Sequence, residues 1–409
     1  MIFMRTAGII SEYNPFHRGH AWQIGELRRR LGAETAVVCA MSGSFVQRGE
    51  PAIFDKYLRT KTALLAGADL VLEIPVAFST ASAHEFAAYG VALLSAIGVD
   101  AVVFGSECGQ IEILKQAAYA LNYESAEFQE RLRKGLKAGL PYPQARAKAL
   151  EMEDTWASVL SSPNNILGIE YLRAAEDLHS LMEFYTISRK GSGYHEDTLA
   201  DANFPSASAI RGIIRNSLSK DKDLLDILAS HLPAVTHPAY TGAVPVFVDD
   251  FSELLNAAIL QMQATFSIAD LSPELAARLA KPPYFPLSFE KRIQALKTRQ
   301  LTYTRVSRAL LHLALGMREE DISRWKDEGY ALYARILGFR RQSSPLLSCL
   351  HKKSSIPLIT KMADASQSLA PSALALLEQE VYASHLYQTV RMKRSGVFQN
   401  EYTEGLVFV

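Results

Sequence analysis

Five short apolar runs alternate with segments of helical period along the first half of this chain. They are T-A-G-I-I-S (6–11), T-A-V-V-C-A-M (35–41), D-L-V-L-E-I-P (69–75), A-V-V-F-G (101–105) and M-E-F-Y-T-I-S (182–188). Near-continuous apolar character over so few residues is expected of strands buried on both faces. Between them, Trp22, Ile24, Leu27 and Leu31 mark one helix, a second covers 54–67 and ends at Gly67, and a third covers 82–97. Three more helical segments fill 110–178. This alternation predicts an α/β fold with a Rossmann-like parallel sheet, because each parallel pair needs a crossover and helices then cover both faces.

The pattern changes after about residue 217. Three prolines and a glycine interrupt 231–247, so the sequence predicts a first domain over 1–230, a linker over 231–250 and a mainly helical domain over 251–409. Helical segments are expected at 251–267, 271–280, 288–300, 303–316 and onward to about 385, and the final residues read as an extended return. The 409 residues, 48% hydrophobic and 21% charged, suit two or three domains with a substantial core. No stretch reaches the ~18–20 apolar residues of a membrane span, and the N-terminus lacks the features of a signal peptide. Cys39, Cys108 and Cys349 lie far apart with no C-x-x-C pair, which fits a reducing, cytoplasmic setting. The net charge of zero hides a split of −8 over residues 1–280 and +8 over 281–409. The basic half is either a surface for an anionic partner or a solvated helical face.

N-P-F-H-R-G-H (14–20) lies directly after the first strand, at the start of a helix. A helix N-terminus offers backbone donors and a favourable dipole to phosphate, and Gly19 admits close approach. His17 and His20, three apart, can face one ligand from the same turn. The same spacing could hold a metal, but no third ligand stands nearby, and no metal site is assigned. F-P-S-A-S-A-I-R (204–211) sets Ser206 and Ser208 at the start of another helix and Arg211 one turn later. Alone it is an ordinary capped helix; with the histidine pair it becomes a second phosphate clamp.

His17-x-Gly19-His20 after the first strand resembles the signature of the nucleotidylyltransferase superfamily, and Ser206–Arg211 resembles its second motif, with Ala207 in place of one hydroxyl residue. A longer series resembles the bacterial tRNA(Met) cytidine acetate ligase family. It comprises G-I-I-S-E-Y-N-P-F-H-R-G-H (8–20), M-S-G-S-F-V-Q-R-G-E-P (41–51), F-G-S-E (104–107), P-N-N-I-L-G-I-E-Y (163–171) and R-K-G-S-G-Y-H (189–195). The likeness is strongest over 5–215.

The resemblance implies a nucleotidylyltransferase-like catalytic domain that activates acetate with ATP as acetyl-adenylate. The acetyl group then passes to the exocyclic amine of the wobble cytidine of elongator tRNA(Met). It implies catalytic roles for His17 and His20. ATP contacts fall on Ile10, Ser11, Glu12, Tyr13, Asn14, Pro15, Phe16, His17, Arg18, Gly19, His20, Ala21, Trp22 and Gln23, with Gly105, Asn164 and Arg189. Ser208 and Arg211 join them as the second clamp, and Asn165 stands beside Asn164 as an equal neighbour. Magnesium is compatible with ATP chemistry, but nothing in the sequence derives it.

Gly105 at a strand end suits a nucleotide outside the carboxyl edge of an open sheet. Arg189, just past a strand, can bind phosphate bidentately. Gln47 and Arg48 in the 42–51 loop mark a region for acetate, or a surface salt bridge. For tRNA the candidate platform is Arg340, Arg341, Lys352 and Lys353 within the basic clusters of the second half. The alternative reading is a nucleotidylyltransferase that adenylylates a small phosphorylated acceptor; its core would need only half this length.

Overall fold

In the computed structural model, which describes residues 5–123, 126–140, 145, 148–149, 159–160, 162–189, 205–218, 224–262, 267–281 and 285–409, the predicted strands form the centre of one sheet. β1 (Thr6–Ser11) pairs in parallel with β2 (Ala36–Ser42) on one side and β6 (Ala101–Ser106) on the other. β5 (Leu70–Ile74) extends the β2 side and β7 (Glu183–Ser188) the β6 side, both in parallel. A small hairpin, β3 (Phe45–Val46) with β4 (Glu50–Pro51), stands apart from the sheet. The chain thus steps outward from β1 to β2 and β5, then crosses back to β6. That reversal opens a crevice at the carboxyl ends of β1 and β6.

α1 (Arg18–Leu31) and α2 (Lys56–Leu65) cover one face of this sheet, where Ile9, Val37, Cys39 and Val71 meet Ile24, Leu27 and Leu64. The other face, including Ile10, Val38 and Leu72, joins the larger core with α3 (Ala83–Ala96), α4 (Ile111–Asn122), α5 (Ala126–Lys137) and α6 (Pro163–Asp177). Glycine sets how closely α3 sits on β1. A Cβ on Gly8 would stand 2.5 Å from Leu94, and one on Gly90 would stand 2.7 Å from Ile10. α7 (Ala207–Leu218) follows residues outside the described set, so of the R-K-G-S-G-Y-H stretch only Arg189 is described, and Phe204 also falls outside.

The second half is largely helical: α8 (Ser252–Gln261), α9 (Pro273–Leu279), α10 (Phe289–Leu296), α11 (Tyr303–Ala314), α12 (Glu319–Asp327), α13 (Ser344–Lys353) and α14 (Pro371–Ser395). It also returns to the sheet. β8 (Ala334–Phe339) pairs antiparallel with β5, and β9 (Leu358–Ile359) and β10 (Val407–Phe408) pair in parallel with β8. The sequence predicts helices onward to about residue 385, and β8 departs from that expectation; its Arg335 is buried by a polar network.

That network joins the two halves. Lys56 Nζ lies 2.5 Å from Glu73, 3.4 Å from Glu380 and 3.0 Å from Glu401, while Arg335 lies 2.8 Å from Glu73 and 2.5 Å from Glu401. Burial and the neighbouring Glu73 push the Glu380 carboxyl well above its ordinary range. Lys56 and Arg335 hold Glu401 well below that range against the effect of burial. Residues 231–250, read from sequence as a linker, are packed: Leu232 and Tyr240 share a core with Ile53, Phe54, Ile210 and Ile214.

Candidate functional site

His17 caps α1. Its ring Nδ1 accepts from the Gly19 amide at 3.0 Å, while the His20 Nδ1 accepts from the His17 amide at 3.2 Å. A neutral imidazole that accepts through Nδ1 carries its proton on Nε2, so each ring keeps one outward donor. Burial, with Arg189 and His231 nearby, brings His17 down to about 4; burial, His17 and Arg189 keep His20 well below the usual histidine value. The rings lie with centroids 3.8 Å apart, backed by Tyr13 and Phe16. Both histidines are therefore neutral at pH 7 before an anion binds.

The backbone expectation is corrected here. The Arg18 amide donates to His231 O at 3.0 Å, the Gly19 amide to the His17 ring, and the His20 and Ala21 amides to His17 O. The first-turn amides are already paired, so the donors this turn leaves unspent are the two imidazole Nε2–H groups.

Two arginines frame the crevice. Arg211 on α7 donates to Asn14 O at 2.8 Å and to Ser208 Oγ at 3.1 Å, which ties the second clamp to the loop after β1. Arg189, just beyond β7, donates to Asn164 Oδ1 at 3.1 Å. Its side chain crosses Gly105, where a Cβ would stand 3.2 Å from Arg189 Cγ. Asn164 faces the crevice; Asn165 is buried, with its Oδ1 accepting from the Glu107 and Cys108 amides. A cavity of about 180 Å³ connects Ile10–Asn14, His20, Gln23, Gln47, Gly105, Asn164 and Arg189. An adjoining pocket of about 40 Å³ is lined by His17, Gly19, Trp22 and Pro205. Pro15, Phe16, Arg18, Ala21, Ser208 and Arg211 of the predicted set line neither space, and Phe16 is buried beneath the rings.

Sequence reasoning missed two residues that hold this site. Arg59, fully buried on α2, donates to Glu12 O at 2.7 Å, Ser42 O at 2.9 Å, Phe54 O at 3.0 Å and Gly43 O. It pins the loops after β1 and β2 together. Glu107 accepts from the Asn164 and Asn165 amides at the start of α6 and from Asn164 Nδ2 at 2.6 Å. Its place in F-G-S-E was the available signal.

The four cations predicted to bind tRNA lie elsewhere. The Arg340 amide donates to Asp69 O just before β5, and Arg341 stacks its guanidinium 5.1 Å from the Phe408 ring. Lys353 Nζ contacts Asp100 at 3.1 Å just before β6, and Lys352 lines a shallow groove nearby. These positions are at the amino edge of the sheet, opposite the histidines. Among the described residues, no three His, Cys, Asp or Glu side chains gather as a metal-ligand set, and no helix is long and apolar enough to cross a membrane.

Comparison with known proteins agrees with this geometry. The family model described as HIGH Nucleotidyl Transferase matches residues 4–401. The tRNA(Met) cytidine acetate ligase of Acetivibrio thermocellus is 37% identical over 99% of this chain and 100% of its own length. The ligase of the same name from Clostridium novyi is 38% identical over 88% of this chain and 90% of its own. The crystal structure of Thermotoga maritima TmcAL bound with alpha-thio ATP superposes with a TM-score of 0.86 at 28% identity, covering 99% of this chain and 100% of that one. Long motifs in fixed order, a shared fold and near-complete coverage lead to one assignment: the chain belongs to the tRNA(Met) cytidine acetate ligase family of HIGH nucleotidyl transferases.

Proposed function

We propose that this protein is an ATP-dependent ligase that makes acetyl-adenylate and acetylates the wobble cytidine of elongator tRNA(Met). The observation that carries the reading is the neutral histidine pair, with its two Nε2–H donors at the crevice between β1 and β6. An acetate oxygen attacks the α-phosphorus of ATP, and the bond from that phosphorus to the bridging oxygen breaks. Its electron pair leaves with pyrophosphate. His17 and His20 donate hydrogen bonds to the phosphate oxygens as charge builds on them, and Arg189 and Arg211 hold the chain of phosphates in place. In the second step the cytidine N4 amine attacks the acetyl carbonyl, AMP departs with the carbon–oxygen bonding electrons, and the amine gives up one proton.

Donors fixed in advance favour a reaction whose charge moves onto a leaving pyrophosphate. The meeting of the loop after β1 with Gly105, Asn164, Arg189 and Arg211 supports these roles. ATP and tRNA as substrates point to the cytoplasm. The test incubates the protein with tRNA, ATP and labelled acetate and analyses the nucleosides. Labelled N4-acetylcytidine is the expected product; its absence, with adenylylated small acceptors formed instead, would overturn the reading.

A further inference from the structure

The larger cavity has a wall to which none of the ATP contacts was assigned. Phe86, Phe104, Leu167 and Tyr171 line it beside Gln47. Phe86, Phe104 and Tyr171 are buried, and the Phe104 and Tyr171 rings meet edge to face with centroids 5.5 Å apart. Packing therefore holds the wall in one shape. Gln47 is fixed by its amide, which donates to Glu12 Oε1 at 3.0 Å, and by its side chain, which donates to Ala81 O at 3.4 Å.

Three polar groups on this cavity are unspent, Ser11 Oγ among them. Asn14 is 2% exposed, and its Oδ1 accepts from the Ile53 amide at 2.8 Å, but its Nδ2 has no partner among the described residues. The Tyr171 hydroxyl likewise makes no hydrogen bond among them; burial and the nearby Glu12 keep it protonated, and so a donor. A buried donor without an acceptor is costly, and an acceptor that arrives with substrate removes that cost. The cavity is thus cationic and imidazole-lined toward Arg189 and His20, and apolar with neutral donors toward Phe86 and Tyr171, where the Glu12 carboxylate also lines it with its charge offset by Arg59 and Arg211. Phosphate suits the first end. The second suits a small anion with an alkyl group.

We propose that the aromatic end is the acyl subsite, taking a short aliphatic carboxylate with its alkyl group against Phe86, Phe104 and Leu167 and its carboxylate on Asn14 Nδ2 and the Tyr171 hydroxyl. The proposal rests on the acyl-adenylate reading and adds the residues that choose the acid. The cavity's volume of about 180 Å³ is shared with nucleotide, so few heavy atoms remain for the acid. One extra methylene in such a pocket changes efficiency by roughly 10–200-fold.

The experiment is acid-dependent exchange of pyrophosphate into ATP, run with acetate, propionate and butyrate on the wild type, Leu167→Ala and Tyr171→Phe. Leu167 is only partly buried, which makes it the gentler wall position to shorten. The wild type should prefer acetate to butyrate by at least about 10-fold in kcat/KM, and Leu167→Ala should move that ratio at least about 10-fold toward butyrate. Tyr171→Phe should raise the KM for acetate while leaving the KM for ATP unchanged, a split that general loosening would not give. If Leu167→Ala does not fold, the Tyr171→Phe split decides alone. No acid-dependent exchange in the wild type would overturn the acyl-adenylate reading itself. Exchange in the wild type, with an unmoved acid ratio or a raised KM for ATP in the variants, would overturn the subsite alone.

Discussion

His17 and His20 each accept through Nδ1 from the chain that carries them, which leaves Nε2–H as the free donor of both rings. Replacing either by Ala is expected to lower acetate-dependent pyrophosphate exchange about 10²–10³-fold with the fold retained, since each removes a fixed donor from developing charge. Near wild-type exchange in both variants would reject the role. The same burial sets a pH signature. In the folded protein His17 titrates at about 4, below the ordinary 6.5 of the unfolded chain. The unfolded state therefore binds more protons between those values, and the stability His17 contributes above 6.5 is lost as pH falls through 4. Phosphate oxygens favour the imidazolium, so binding an unreactive ATP analogue should take up protons near pH 5 and fewer at pH 8. Calorimetry in buffers of different ionisation heat measures this directly; equal uptake at both values would rule it out. The histidines were legible because three-residue spacing at a strand–helix junction is a local pattern. The unspent Asn14 Nδ2, Arg59 and Tyr171 were not, because what each side chain meets is decided by elements far away in sequence.

Elements recovered from sequence were those whose pattern is local and complete: the five parallel strands and the helices between them. β8 escaped because its burial depends on partners from both ends of the chain. Arg335 on β8 can be buried only because Glu73 of β5 and Glu401 beyond α14 meet it, with Lys56 of α2 between them. Lys56→Met should therefore destabilise the whole protein, not one half, because it leaves carboxylates buried with less compensation. Breaking such a buried pair by removing one partner costs about 3–5 kcal/mol. Urea unfolding should show a lowered midpoint in one transition with an unchanged slope. Two separated transitions, with only one of them shifted, would show that the halves do not share the network energetically.

At the scale of the molecule, the charge split between the halves suggested a basic platform for tRNA, but it carried no information about which edge of the sheet each cation would reach. Arg340, Arg341 and Lys353 stand where β5 and β6 begin, whereas the histidines stand where β1 ends. Six residues of strand separate those edges by about 20 Å. Coulomb interactions are screened within ~8–10 Å at moderate salt, so this cluster exerts little pull at the crevice. A different set stands near the crevice itself. Glu50 on β4 is raised by burial but drawn down by Arg211, Arg48 and Arg215 around it, and Arg48 and Arg215 are exposed. Those two are exposed beside Arg211 and are therefore the cations expected to meet an anticodon loop that delivers its cytidine to the crevice. Arg48→Ala with Arg215→Ala should weaken tRNA binding and flatten its salt dependence by roughly 0.7–0.9 for each phosphate that is no longer neutralised. The Arg340, Arg341, Lys352, Lys353 quadruple Ala variant should weaken binding less and leave acetate-dependent exchange intact. Measuring tRNA affinity at several salt concentrations for both variants decides between the edges. A steeper loss of affinity in the quadruple variant would return the platform to the amino edge, with the tRNA body wrapping around the sheet to reach it.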